Sequence, residues 1–452
     1  QLLPSWRSRM SLIPFGFWAA SGGGGGATYR LQTLGGDRSD WAYSVSVDSD
    51  FNSFLGGRLT STPANNYDFF VSKSDPEGTV LWQRYLTQSG NDELQSVVTD
   101  SSGNVYLAGT SKDGGTVDAC IIAKYSTEGV IQWQKSLEGA SASVVYMMHI
   151  DSSDNLFIAG STYSGGVGGN DGLLAKYNTA GVLQWQRIIG SIDTEIMTGI
   201  GTDSSGNVYL GGKTNGAGGS ITQLLLVKYN SAGTIQWQRV LGGTENANIV
   251  DLALDSLGNI YLAGSLRDSG GDPQRGWLVK YNSSGTVTWE RYFSDASVSL
   301  NTISMAIDSS DNIYQLTSSD LADAGDKHLV WSKWDTSGNL VLQRRLGSTL
   351  EERAHQVRLD SADNLYLVGG TTGAGVLGWD MFLAVLPNDG SLTGTYSLDG
   401  ADYTYEATSF TASTPSHTAA TSTLTAATGT LTAANANMTS STASLTGYQI
   451  DL

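Results

Sequence analysis

DLALDSLGNIYLAG, residues 251–264, decides how this chain is read. An aliphatic run ends in Asp255, a short turn follows through Gly258 to Asn259, and a second run opens on an aromatic, Tyr261. The same pattern recurs as DSSGNVYLAG from Asp100, DSSDNLFIAG from Asp151 and DSSGNVYLGG from Asp203. It continues as DSSDNIYQLT from Asp308 and DSADNLYLVG from Asp360, with a degenerate copy, DSDFNSFLGG, from Asp48. Successive Asp residues lie 52, 51, 52, 52, 53 and 52 residues apart. A fixed period of this length is the mark of a repeat architecture, in which each unit buries its faces against its neighbours.

Outward from the turn, each unit resolves into four short runs. LQSVVTD (94–100) leads into the Asp turn, and NVYLAG follows the Asn. After a Gly-rich loop comes IIAKY (121–125), then STEG and IQWQKSL (131–137). Such runs, rich in β-branched and aromatic residues and punctuated by Gly, Asn, Asp and Ser, read as strands joined by hairpins. Four strands in some fifty residues make one blade, so the expected fold is all-β: a seven-bladed β-propeller of four-stranded blades. Residues 28–400 form the propeller, 1–27 an N-terminal docking arm with a Gly-rich tether, and 401–452 a Thr/Ser/Ala-rich, heptad-like tail.

Equivalent positions repeat around the ring. Lys73, Lys124, Lys176, Lys228, Lys280 and Lys333 lie 20 or 21 residues after the repeat Asn. Trp82, Trp133, Trp185, Trp237 and Trp289 follow, each with a cation two residues on (Arg84, Lys135, Arg187, Arg239, Arg291). That offset puts ring and cation on one strand face, where the cation is expected to lie against an indole of the next blade. The Asp and Asn of the turns are oxygen donors suited to calcium. They are equally the side chains that bond their own turn's backbone, and turn chemistry is the expectation.

The unit DLALDSLGNIYLAG through WLVKYNSSGTVTW, preceded by LGGTEN (241–246), resembles the bacterial SBBP-type β-propeller repeat, related in layout to NHL propellers. The resemblance spans about 28–400. It implies that the strand before each Asp is innermost and the Trp strand outermost, and it fixes no activity. TYRLQTLGG (28–36) matches an outer strand yet precedes the first inner strand, WAYSVSVD, so it is expected to close the ring beside 379–386. SLTGTYSLDG (391–400) competes for that place.

A net charge of −18 argues against nucleic acid or an anionic membrane as partner. Cys120 is the lone cysteine, and no apolar run reaches the 18 residues of a spanning helix. At the N-terminus, Arg7 and Arg9 precede SLIPFGFWAA, which imitates a secretory signal; Pro14 and bulky residues interrupt it, and a docked aromatic plug is the preferred reading. MSLIPFGFWAASGGGG resembles the N-termini of virion proteins of marine tailed phages. At the other end, Leu424, Leu431, Met438, Leu445 and Leu452 recur every seven residues in Thr-rich sequence. Thr and Ser suit extended structure better than helix, so the tail reads as an oligomeric shaft or docking arm, a strand laid on a neighbour, or a linker.

For chemistry, the four His residues (His149, His328, His355, His417) fall at unrelated repeat positions. Eight residues before the repeat Asp stand Asp40, Asp92, Glu195 and Glu352, where other blades carry Ser143, Ala247 and Leu300. These four acids are the candidate metal site, a ring at one mouth of the channel able to take calcium; a solvated rim, or paired acids for glycoside chemistry, are the other readings. No other cofactor is implied. The expected function is a non-enzymatic virion structural protein, of tail-fibre or decoration type in a bacteriophage, joined to itself or other virion subunits through both termini. The variable Gly-rich loops at 111–119, 161–172 and 266–276 would be its contact surface, suited to a cell-surface glycan. A secreted or surface-attached bacterial adhesin is the alternative, and a carbohydrate-active propeller the third class.

Overall fold

The computed structural model describes residues 28–408, apart from the short segments 36–37, 61–65, 88–89, 113–118, 139–141, 164–168, 216–220, 268–272, 295–297, 321–326, 349–350, 373–377 and 399–400, together with the backbone of six strands between 411 and 451. The arm 1–27 and most of the Gly-rich loop tips therefore lie outside the described residues.

Seven antiparallel sheets are arranged as the blades of a propeller. The innermost strands of blades 1 to 7 are Trp41–Val47, Asn91–Thr99, Ser143–Ile150, Glu195–Thr202, Asn246–Leu254, Leu300–Ile307 and Glu352–Leu359. Each packs on the next, and the seventh returns to the first. All seven carry a bulge, at Tyr43, Gln95, Tyr146, Thr198, Val250, Ile303 and His355. A bulge adds twist and re-aims the side chains that follow it. The core is divided into seven apolar clusters, one at each junction between blades. Stability is thus built from nearest-neighbour interfaces.

The repeated residues make those interfaces. Trp82 donates from Nε1 to the carbonyl of Thr127 in the next blade (2.9 Å), and Arg84 from Nε to that of Gly129 (2.8 Å). Arg187, Arg239 and Arg291 repeat the reach to Gly233, Gly285 and Gly338. The cation does not lie on the next blade's indole, as the spacing suggested. It lies over the Trp of its own strand, 5.0–5.5 Å from the ring centroid, and the hydrogen bond is what crosses the junction. Two residues apart on a strand share a face, so ring and guanidinium meet before either reaches a neighbour.

Ring closure uses the expected segment. Arg30–Gly35 pairs with Asp380–Leu386 as the fourth strand of blade 7. Arg30 takes the Trp position and donates to the Pro76 carbonyl (2.7 Å); Gln32 takes the Arg position and donates to that of Gly78 (3.2 Å). The closing junction thereby keeps the hydrogen-bond scheme of the others with different side chains. The competing segment goes elsewhere: Gly394–Leu398 pairs with Ala401–Ala407 on the outside of blade 6.

The tail adds a fifth strand to each remaining blade. Thr404 stands opposite Gly347, Thr411 opposite Ser294, Thr418 opposite Gly242 and Thr425 opposite Gly190. Thr432 then faces Glu138, Thr439 faces Thr87, and Thr446 faces Gly35. Every seven residues of tail step back one blade, so the period of seven is the sequence spacing between the edges of successive blades. The outer edges, a liability when open, are paired by the chain itself.

Candidate functional site

The repeat Asp residues form self-contained turns. Asp100 Oδ1 accepts from the backbone of Ser102 and Asn104, and Asn104 Nδ2 binds both carboxylate oxygens. Lys124 Nζ completes the set at 3.0 Å and sits 4.6 Å from the Tyr106 ring centroid. Burial works to raise the Asp100 pKa, but the Asn104 and Lys124 hydrogen bonds outweigh it and hold the group below its ordinary value. Lys73, Lys228, Lys280 and Lys333 repeat the ion pair. Turn chemistry accounts for these carboxylates.

The four acids proposed as a channel-mouth site occupy equivalent places at the start of their inner strands, and all are buried. Asp40 and Asp92 accept hydrogen bonds within their own blades, whereas Glu195 and Glu352 hold the connector that arrives from the preceding blade. Asp40 takes the Thr60 amide (3.0 Å) and Asp92 the Ser111 hydroxyl (2.5 Å). Glu195 takes the Ser191 amide, the Ser191 hydroxyl and the Thr214 hydroxyl. Glu352 takes the Ser348 amide and hydroxyl, with His328 Nδ1 3.5 Å away. Among the described residues, no three His, Cys, Asp or Glu side chains are grouped to hold a metal ion. The acids fasten the entry of the inner strand to its own blade at Asp40, Asp92 and Glu195, and to the connector from the blade before at Glu195 and Glu352.

Among the described residues, two interruptions of the sevenfold pattern gather charged and aromatic side chains. The first lies on the face carrying the Gly-rich loops, where blades 7, 1 and 2 meet. Trp41 and Trp379 stack at 4.3 Å between centroids, and the Arg353 guanidinium lies 4.8 Å from the Trp379 ring. His355 meets both Trp41 and Tyr43 edge-on. Arg58 covers the Tyr67 ring at 4.0 Å and pairs with Glu93 at 2.8 Å, while the Tyr43 hydroxyl donates to the same carboxylate (3.0 Å). Burial, then Arg353 and Arg58, push the His355 pKa down to about 4, so the ring is neutral at neutral pH. The bulges explain two of these positions: Tyr43 and His355 are themselves bulge residues.

The second break is on the axis, in the half next to the Asp turns. A cavity of about 350 Å³ there is walled by the inner strands of blades 2 to 7. Arg358 of blade 7 reaches into it and pairs with Asp251 of blade 5 at 3.4 Å. His149 Nε2 and the Thr202 hydroxyl are 2.9 Å apart in the same wall. Burial lowers the His149 pKa to about 4, Asp151 opposing and Arg358 assisting. Sequence reasoning passed over Arg358 and Asp251, although a signal existed. They are the only charged residues two and four places before a repeat Asp.

The fold and these two interruptions define a seven-bladed β-propeller assembled from near-identical repeats, with no helix among the described residues long and apolar enough to cross a membrane. The SBBP family model, described as a beta-propeller repeat, matches residues 81–114 and 184–219. Regulatory protein FlaEY of Caulobacter vibrioides is 25% identical over 260 residues, covering 53% of this chain and 26% of its own. An uncharacterised WD repeat-containing protein of Acanthamoeba polyphaga mimivirus is 20% identical over 236 residues, 38% of this chain and 17% of its own. The chain thus spans about a quarter or less of either relative. Among solved structures, an ulvan lyase is similar at a TM-score of 0.47 and 10% identity, covering 78% of this chain and 96% of that one.

Proposed function

We propose that this chain is a non-enzymatic binding and assembly propeller of a virion surface, a tail-fibre or decoration component that presents its Gly-rich loop face to a host-surface glycan. The observation that carries the reading is the cluster on that face in which the exposed Arg353 and the half-buried Trp379, Tyr43 and Arg58 rest on the buried Trp41. Indole and phenol rings offer apolar faces to sugar C–H groups, and guanidinium forks bind hydroxyl and carboxylate oxygens in pairs. The buried acids of the inner strands are engaged by hydrogen bonds from the propeller frame itself, which favours a structural over a hydrolytic use for them. The N-terminal arm would join the propeller to other virion subunits or to further copies of itself, the C-terminal strands being paired along this chain's own blades.

A secreted or surface-attached bacterial adhesin is the second reading, favoured by the longer match to a bacterial protein. In either case the binding face is the same. The test is a glycan array with the full chain, beside Trp379→Ala and Arg353→Ala, with light scattering for mass. Selective glycan binding lost in both variants, by a chain of defined oligomeric state, supports the virion reading. Binding untouched by both variants overturns the assignment of the face, and a monomer in solution overturns assembly through the N-terminal arm.

A further inference from the structure

Most central positions of the inner strands are small or apolar, so the ring has little reason to hold charge on its axis. Blade 7 nevertheless carries Arg358 there. One of its nitrogens, Nη1, is fully engaged: it donates to Asp251 Oδ2 (3.4 Å), Ser304 Oγ (3.4 Å) and the carbonyls of Met305 (3.3 Å) and Val357 (2.8 Å). These bonds to blades 5, 6 and 7 fix the guanidinium plane. The other edge is different. Nη2 has only the Met147 sulfur, at 3.6 Å, and Nε has no hydrogen-bond acceptor among the described residues.

The partner carboxylate is also shared out. Asp251 Oδ2 accepts from the Ser304 hydroxyl (2.9 Å) and the Met305 amide (3.0 Å), and Oδ1 from the Leu252 amide (2.9 Å). Its charge is spread over three donors besides Arg358, so the guanidinium is held in place more than it is neutralised. The rest of the wall is soft and apolar, with Met147, Met148, Met305 and Ile200. Methionine surfaces adapt to the shape of what they enclose. A cavity of about 350 Å³ lies within the usual range for small-molecule sites, roughly 300–1,000 Å³.

The geometry points to a binding site for a small organic carboxylate with an apolar body, such as an aryl or branched-alkyl carboxylic acid. The Nε–Nη2 edge of Arg358 takes the two carboxylate oxygens side-on, and the methionine wall takes the body. This site lies at the far end of the axis from the aromatic cluster and does not depend on glycan binding. An inorganic anion would satisfy the guanidinium and leave the apolar wall unused.

The probes are benzoate, phenylacetate, isovalerate and inorganic phosphate, titrated calorimetrically into the full-length chain. The expected result is saturable binding of one or more of the carboxylates and a weaker response to phosphate. Arg358→Lys keeps the charge and loses the fork, and should weaken binding by about tenfold or more. Because that substitution also loosens the wall, Ala253→Leu provides a second test from blade 5. It fills the cavity without touching Arg358 and should abolish binding while the melting temperature holds or rises. Trp379→Ala, at the opposite face, should bind as the parent does. Absence of binding by every carboxylate up to about 10 mM overturns the proposal. So does undiminished binding in Ala253→Leu, and so does phosphate bound more tightly than the carboxylates.

Discussion

The fourth residue of each Asp turn sits in left-handed backbone, and its identity decides how two blades are tied. Where it is Asp154, Asp311 or Asp363, the backbone holds φ of 61–63° at some cost. Each of these carboxylates then accepts both the amide and the hydroxyl of a Ser in the preceding blade: Ser101, Ser256 and Ser309. Where it is Gly258, at φ +76°, a Cβ would meet nothing within 4 Å, and a crevice of about 380 Å³ opens beside Ser204 and Ser205 of blade 4. Gly258→Ala should therefore cost about 1 kcal/mol, the left-handed penalty alone. Gly258→Asp should recover that amount or more through a charge-assisted bond to Ser204. Urea unfolding of the three proteins measures it, and equal losses in both variants would reject the tie. The alternation of DSSGN and DSSDN is visible in sequence. Its reason is not, because the serine lies 53 to 55 residues away. A still greater separation hid the axial pair, since Asp251 and Arg358 are 107 residues apart.

At the scale of elements, the repeat period and the turn residues made the four strands of every blade readable, and the LGG signature of 28–36 made the closing strand readable too. The tail was legible only as extended structure with a period of seven. The pairing shows what that period measures: three or four residues of strand in every seven, with successive strands paired to successive blades. The register makes a sharp prediction. Deleting residues 425–431, one unit, should shift every later strand onto the blade now held by the strand before it, so that Thr432 faces Gly190 and Thr446 faces Thr87. The strand Arg30–Gly35, now covered by Thr446–Asp451 over six residues, would become an open edge. Hydrogen exchange should report this as a loss of protection of about tenfold or more at the outward amides of 30–35, with the inner strands of all blades unchanged. Unaltered protection at 30–35 would mean that the tail does not count blades in this way.

For the whole molecule, both ends of the axis hold a histidine that the fold keeps neutral. His149 stands in the axial cavity and His355 in the aromatic cluster, each with its pKa lowered from 6.5 to about 4 by burial and nearby arginines. The unfolded chain takes up these protons near pH 6.5, the folded chain only near pH 4. Between those values the unfolded state binds more protons, so stability must fall as the pH falls. A gap of this size is worth at most about 3 kcal/mol for each ring. The turn carboxylates Asp100, Asp203 and Asp308 titrate in a separate window. Hydrogen bonds from their Asn partners outweigh burial and hold them below 3.8, so their stabilisation is intact above that value and is lost only as the pH falls through their lowered folded-state pKa. Acid should therefore act on this propeller in two stages, first at the axis and then at the rim of turns. Urea midpoints measured from pH 7 down to pH 3 should show a decline beginning near 6.5, well above the carboxylate range. Replacing both rings, as His149→Gln with His355→Gln, should flatten the first stage and leave the second. A parent protein equally stable at pH 7 and pH 4.5 would show that the two rings are charged in the folded state, and that the axis is wetter than its packing implies.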